Sequence, residues 1–327
     1  MRSGISMNKL ISIPETLDKQ SHIYVRHPYL KLLGIVTLVV CLVVPYWLAC
    51  NHWHKFASLF KNKEEFLFYT LISTGLLTHF SLLILYMCIY KAKLPYFEQF
   101  KDNDRQCPWE YDTDFPKRLK KALALVAFNN FVCGPIFSYV GYLTRLLDAK
   151  STQEEIPSFS VYLAQIGFMV ICEDLGFYWM HRLLHHPSLY PHIHKIHHEW
   201  YDVIVINSEY AHPVEFFISN LFPAGLGLVL LWGRAHWLSY QMFIILRLAE
   251  SAESHGGYDF PWAISRPLPF CISSSYHNYH HLKNTGNYAS WFILWDSICG
   301  TDSYYYNDML KYGKEFEDYQ TADRKEK

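Results

Sequence analysis

Of the 18 histidines in this 327-residue chain, 13 fall between His181 and His281. They gather in HRLLHHP (His181, His185, His186), HKIHH (His194, His197, His198) and HNYHH (His277, His280, His281). Imidazole is the common nitrogen ligand of zinc, copper, iron and nickel. On a helix, the i, i+3, i+4 spacing of the second and third stretches puts three rings on one face, and His181 and His185 share a face as well. His186 is rotated away from His181 and needs a bent helix end or a second metal to take part. Pro187 directly after it ends the helix near that point. The three stretches supply eight or nine nitrogens, and His212 (in EYAHPVE) and His255 (in ESHGGYDFP) offer two more. One coordination sphere cannot use them all, so two metal ions are expected. Catalytic zinc takes three protein ligands and a water, so a redox-capable, all-nitrogen di-iron centre suits the excess better. Carboxylates at Glu173, Asp174, Glu199, Glu209, Glu215, Glu253 and Asp259 stand near enough in sequence to orient ring N–H groups. His22, His27, His52, His54, His79, His192 and His236 lack the spacing and read as ordinary core or surface histidines.

Long uncharged runs must position these rings. They cover residues 32–50, 66–90 (interrupted only by His79), 122–144 and 156–172. A bilayer core takes about 20 apolar residues per helix, and soluble helices keep a polar face that these runs lack. The fourth run meets Glu173 and Asp174 and leads straight into the first histidine stretch. Gly134-Pro135 inside the third run is expected to break or kink its helix. Asn129 and Asn130, just before it, are expected to bond a neighbouring helix. Eight cysteines are scattered without a CxxC pair, which argues against a secreted disulfide framework or a cysteine-type zinc site. A net charge of −1 gives no sign of a nucleic-acid partner.

The expected organisation is a polar arm over 1–29, membrane helices over 30–150, a catalytic domain over 151–305 and a polar tail over 306–327. The stretch 91–121 carries eight Lys and Arg, against three in 51–65 and two in 145–155. Basic loops stay on the cytosolic side, so the fourth span should deliver His181 to the cytosol. Apolar segments at 216–233 and 237–246, split by GRAHW, read as a hairpin that dips into the bilayer or packs on the core. Both its ends must lie on one side, because histidines flank it. The terminal RKEK loosely resembles a dilysine-type retrieval signal. The fold class is therefore all-α: a multi-span membrane helical bundle with a histidine-rich di-metal domain at its cytosolic face.

The segments EDLGFYWMHRLLHH, HKIHHEW, EYAHPVE, SHGGYDFP and GNYASWFILWDSICGTD resemble the fatty acid hydroxylase/sterol desaturase superfamily, and within it most closely the C4-methylsterol oxidases. The family's boxes HxxxHH, HxxHH and HxxHH fall on His181-His185-His186, His194-His197-His198 and His277-His280-His281. The likeness covers about residues 115–305. One departure stands out: sterol oxidases usually carry HHDxHH in the third box, where this chain has Tyr276 and Asn278. The resemblance implies an O2- and NAD(P)H-dependent mixed-function oxidase of the endoplasmic reticulum membrane, with two iron ions that zinc replaces in some purified preparations. It would act on a sterol or other lipid and take electrons from cytochrome b5 or its reductase. A sterol desaturase or side-chain oxidase is the alternative outcome within the superfamily. A membrane metal-binding or transport protein is the non-enzymatic alternative, although such a path needs ionisable groups inside the spans.

Overall fold

The computed structural model of the protein describes residues 28–101, 107–200 and 203–307. Residues 1–27 of the N-terminal arm, with His22 and His27, lie outside the described residues. So do Arg105 in the basic loop and the tail from 308 with its RKEK. Among the described residues the secondary structure is helical, with three isolated β-bridges. The main helices are α1 (Pro28–Ala57), α2 (Lys63–Ala92), α3 (Phe115–Leu143), α4 (Phe159–Leu184), α5 (Pro213–Leu231), α6 (Trp237–Ser254), α7 (Ser274–Lys283) and α8 (Leu294–Cys299).

Helices α1 to α5 are each long and apolar enough to cross a membrane. The four uncharged runs became α1 to α4, and the first half of the hairpin became α5. In α1 the residues Leu32, Val36, Val40, Val43 and Trp47 are exposed. An apolar face of that size on a folded protein seeks lipid or a partner. α6 is different: Trp237, Leu238, Tyr240, Met242, Phe243 and Leu246 are all buried, so it forms the core around which α2 and α4 pack. The start of α2 is fixed by its cap. Asn62 accepts a hydrogen bond from the Glu65 amide (2.8 Å), and Glu64 and Glu65 occupy the first turn, where the helix dipole favours negative charge.

Prolines leave a distinct mark. The helix α3 does not break at Gly134-Pro135. It widens into a π turn over Asn129–Cys133 immediately before them, and α5 does the same over Phe216–Leu221, just before Phe222-Pro223. A proline has no N–H to donate, and the wider turn accommodates the missing bond. Asn129, at the start of its π turn, donates from Nδ2 to the carbonyls of Ala211 (2.8 Å) and Glu209 (3.3 Å). It thereby ties α3 to the segment that carries His212, as expected of it. The close packing of α4 on α5 depends on a glycine. A Cβ on Gly227 would lie 2.7 Å from the Met169 Cα.

Two ends of the bundle are distinguishable. At one, the Tyr90 hydroxyl donates to the Gly256 carbonyl (2.8 Å), the Tyr258 hydroxyl to Glu98 (2.6 Å), and Lys121 pairs with Glu199 (2.6 Å). The basic 91–121 loop and the histidines therefore share an end. At the other, Trp237 N donates to Lys150 O (2.7 Å) and Trp53 Nε1 to Ser151 O (2.7 Å). The α5–α6 hairpin turns there and returns, so both its ends face the histidines, as the sequence required.

Candidate metal centre

Three local structures carry the histidine stretches to one place. His181 sits in the last turn of α4, and His185 caps it. His194, His197 and His198 lie on a 3-10 turn over His194–Glu199. His277, His280 and His281 are on α7, whose N-terminus is capped by Ser273. His255 follows the end of α6. These nine rings form two adjoining groups. The first is His181, His185, His194, His198 and His280. The second is His197, His255, His277 and His281. Within each group the candidate ligand nitrogens lie within 4.8 Å of one another. The second and third stretches are thus divided two to one. His194 and His198 serve the first group and His197 the second, while His277 and His281 serve the second and His280 the first.

His186 and His212 belong to neither group. His186 lies one residue past the cap of α4, about 100° around from His185, and Pro187 carries the chain away. It is exposed, and its Nδ1 accepts from the Ser188 amide (3.3 Å). His212 caps α5, its Nδ1 accepting from the Val214 amide (3.2 Å).

The rings are held from behind. Nδ1–H donates to a carbonyl in His181 (Tyr288 O, 2.9 Å), His197 (Tyr210 O, 3.1 Å), His255 (Ser251 O, 2.8 Å) and His280 (Gly286 O, 2.7 Å). His194 Nδ1 pairs with Glu215 (2.7 Å). A carbonyl only accepts, so Nδ1 carries the proton and Nε2 points its lone pair inward. Burial keeps the rings from taking a second proton. It lowers His197 to about 4 and His255 to about 3, with the His197 ring adding to the effect on His255. His185 falls to about 2, from burial and then from its imidazole neighbours.

A cation would satisfy the nitrogens that converge here. His197 Nε2 and His255 Nε2 face each other at 3.4 Å, and neither has a hydrogen to give. His280 Nε2 lies 3.1 Å from His198 Nε2, and His277 Nε2 lies 3.0 Å from His255 Nε2. His181 Nε2 and both nitrogens of His281 are buried without any hydrogen-bond partner. Buried polar groups without partners are costly. Converging bare lone pairs are what a pair of N-ligated metal ions needs, and the donor set fits them.

The carbonyls that hold His181 and His280 lie on the loop 286–292, which two carboxylates clamp. Asp174 accepts from the amides of Trp291 (2.8 Å) and Phe292 (3.1 Å), and Asp296 accepts from those of Tyr288 (2.9 Å) and Ala289 (2.8 Å). Gly286 is required there. Its φ is +72°, and a Cβ would meet Thr301 O at 2.2 Å. Of the carboxylates expected to orient the rings, only Glu215 touches one. Asp174 acts through the loop, Glu199 binds Lys121 and Tyr210, and Glu253 binds the Ile264 amide. Asp296 was not foreseen, although it lies within the GNYASWFILWD motif. Asp296→Ala should weaken metal retention about 10- to 100-fold, the usual loss when a supporting contact goes. Chelator competition measures this. Retention equal to the unaltered protein would remove the clamp from the account.

The comparisons bear on what such a centre belongs to. The sequence profile described as Fatty acid hydroxylase matches residues 166–301, the segment holding all nine rings. The "Methylsterol monooxygenase 1" of Gallus gallus is 35% identical over 211 residues, covering 64% of this chain and 68% of that protein. The chain belongs to the fatty acid hydroxylase family. Its membership extends to the Rattus norvegicus "Methylsterol monooxygenase 1", 36% identical over 203 residues (60% of this chain, 68% of that protein). A rice relative in the family, "Very-long-chain aldehyde decarbonylase GL1-11" of Oryza sativa, is 37% identical over 180 residues (53% and 62%). No solved structure matches the chain.

Proposed function

We propose that this protein is a membrane-bound oxygenase of the fatty acid hydroxylase family that oxidises an unactivated C–H bond of a sterol, above all a C4-methyl group. The observation that carries the reading is the pair of adjoining groups of converging histidine nitrogens at one end of a bundle of membrane-length helices. His181, His185, His194, His198 and His280 would hold one iron, and His197, His255, His277 and His281 the other. A saturated C–H bond has no acidic proton for side chains to take, and the redox metals supply the electron transfer and oxygen activation that side chains cannot. The overall change consumes one O2, two electrons and two protons, and yields an alcohol and water. The chain's own part is to orient His181, His197, His255 and His280 through backbone carbonyls and His194 through Glu215, to keep the rings neutral by burial, and to present the lipid.

An apolar cavity supports the lipid substrate. It lies among α2, α3, α5 and α6 and is walled by Leu71, Leu76, Phe137, Ala224 and Ile244. The relatives named as methylsterol monooxygenases favour a sterol. The basic end, carrying both the 91–121 loop and the histidines, supports a cytosolic centre in the endoplasmic reticulum membrane, fed by cytochrome b5 or its NAD(P)H reductase. The named rice relative makes a long-chain aldehyde the second substrate to try. The test is metal analysis of purified protein, followed by assay with 4-methylsterol, O2, NADH and cytochrome b5 and its reductase. Iron near two per chain and a hydroxymethyl sterol product are expected. Folded, iron-loaded protein that oxidises aldehyde and no sterol would replace this reading.

A further inference from the structure

Two cavities meet between α5 and α6. The outer one is the apolar chamber described above. The inner one lies against His181, His194, His197, His255 and His277, and its wall mixes serines (Ser208, Ser219, Ser251 and Ser254) with apolar side chains such as Phe177 and Ile272. Only Asn220 and Arg247 border both while standing outside the histidine groups. The guanidinium of Arg247 is already taken by Glu173 (2.5 Å) and Glu250 (3.5 Å), so it offers no net positive charge to an anionic lipid. Ser208, Ser219 and Ser254 donate to carbonyls of their own turns, Val205, Glu215 and Ser251. Asn220 differs. Among the described residues its carboxamide makes no hydrogen bond. It lies in the π turn Phe216–Leu221, and such turns recur where a helix serves a ligand.

We propose that Asn220 recognises a neutral oxygen function of the substrate, an alcohol in the first instance, and so sets which C–H bond reaches the metal centre. The inference rests on the sterol-oxidising reading and sharpens it. A carboxamide offers both a donor and an acceptor, the complement of a hydroxyl group. A substrate hydroxyl that pairs with it is favoured over an analogue that lacks the hydroxyl. An apolar chamber, a neck marked by Asn220 and Arg247, and a histidine-lined cavity together select a lipid with a greasy body whose reacting carbon lies within a few bonds of an alcohol. A methyl group on the carbon next to a sterol's 3-hydroxyl meets that description. A C–H bond in the middle of a long alkyl chain does not.

The test compares a 4,4-dimethylsterol bearing the 3-hydroxyl with its 3-deoxy counterpart, in metal-loaded protein carrying Asn220→Leu or Asn220→Asp. The readouts are kcat/KM and ligand-induced thermal shift. The unaltered protein should prefer the hydroxysterol. In Asn220→Leu that preference should fall about tenfold, the size of one lost hydrogen bond, mostly through KM, with matching loss of the thermal shift. Asn220→Asp, which keeps an acceptor and almost the same shape, should retain part of the preference and serves alone if the leucine variant does not fold. An undiminished preference in the variants overturns the assignment while leaving the sterol reading intact. If the unaltered, iron-loaded protein oxidises neither sterol, the sterol reading falls and the assignment falls with it.

Discussion

His197→Ala should abolish oxidation and release one of the two metals, while the folded bundle survives. His197 is the sole contribution of the second histidine stretch to its group, and its Nδ1 is pinned to the Tyr210 carbonyl. Its loss leaves three donors, His255, His277 and His281, where the fold supplies four. The other group keeps all five of its rings. Metal content should therefore fall from two to about one per chain. Turnover should fall by roughly a thousandfold or more, at least about 4 kcal/mol of transition-state stabilisation. His186→Ala and His212→Ala make the contrast, since both rings lie outside the groups and bond only to nearby backbone amides. Both variants should keep two metals. Elemental analysis with an activity assay decides it. Full activity in His197→Ala, or metal loss in His186→Ala, would show that the division of rings between the two groups is wrong.

That contrast shows what the sequence could and could not reveal. The spacing located eight of the nine rings the fold brings together, because a ligand set drawn from a helix end and two short helical turns repeats at i, i+3 and i+4, and His255 was offered beside them as an isolated histidine. It did not show that the second and third stretches split between two groups. The split depends on how far His194–Glu199 and α7 are turned toward each other, and tertiary packing sets that. His186 was read as rotated away from His181 and in need of a bent helix end or a second metal, and the fold leaves it outside both groups. The supports behind the rings were mostly illegible for another reason. Four of the five are backbone carbonyls, at Tyr288, Tyr210, Ser251 and Gly286, and a carbonyl has no residue signature. The spans were plain from their uncharged length. The π turns were half legible: Gly134-Pro135 and Phe222-Pro223 both mark places where a helix must accommodate a missing N–H, and the expectation of a break or kink at the first did not include the wider turn. Arg247 was passed over because it stands one residue beyond the apolar segment 237–246.

Arg247→Met should destabilise the protein by about 3–5 kcal/mol, the usual consequence of leaving buried charge without its partner. Arg247 is buried in α6, with Glu173 of α4 at 2.5 Å and Glu250 one turn along its own helix at 3.5 Å. Its guanidinium also lies 5.4 Å from the Phe177 ring centre. Without the cation, two carboxyl groups would face each other in a pocket where, among the described residues, Glu173 has no other ion-pair partner. Methionine fills much of the arginine's volume, so the loss reports charge more than a cavity. The decisive comparison is the triple variant Arg247→Met, Glu173→Gln, Glu250→Gln. Because the ion cluster must offset its own desolvation, replacing all three groups together should recover most of the stability lost by the single change. Thermal unfolding in detergent, with metal content followed in parallel, measures both. If Arg247→Met alone unfolds like the unaltered protein, the two carboxyl groups are already neutral in the fold. Arg247 would then owe its place to the neck beside Asn220 rather than to the pairing that locks α4 against α6.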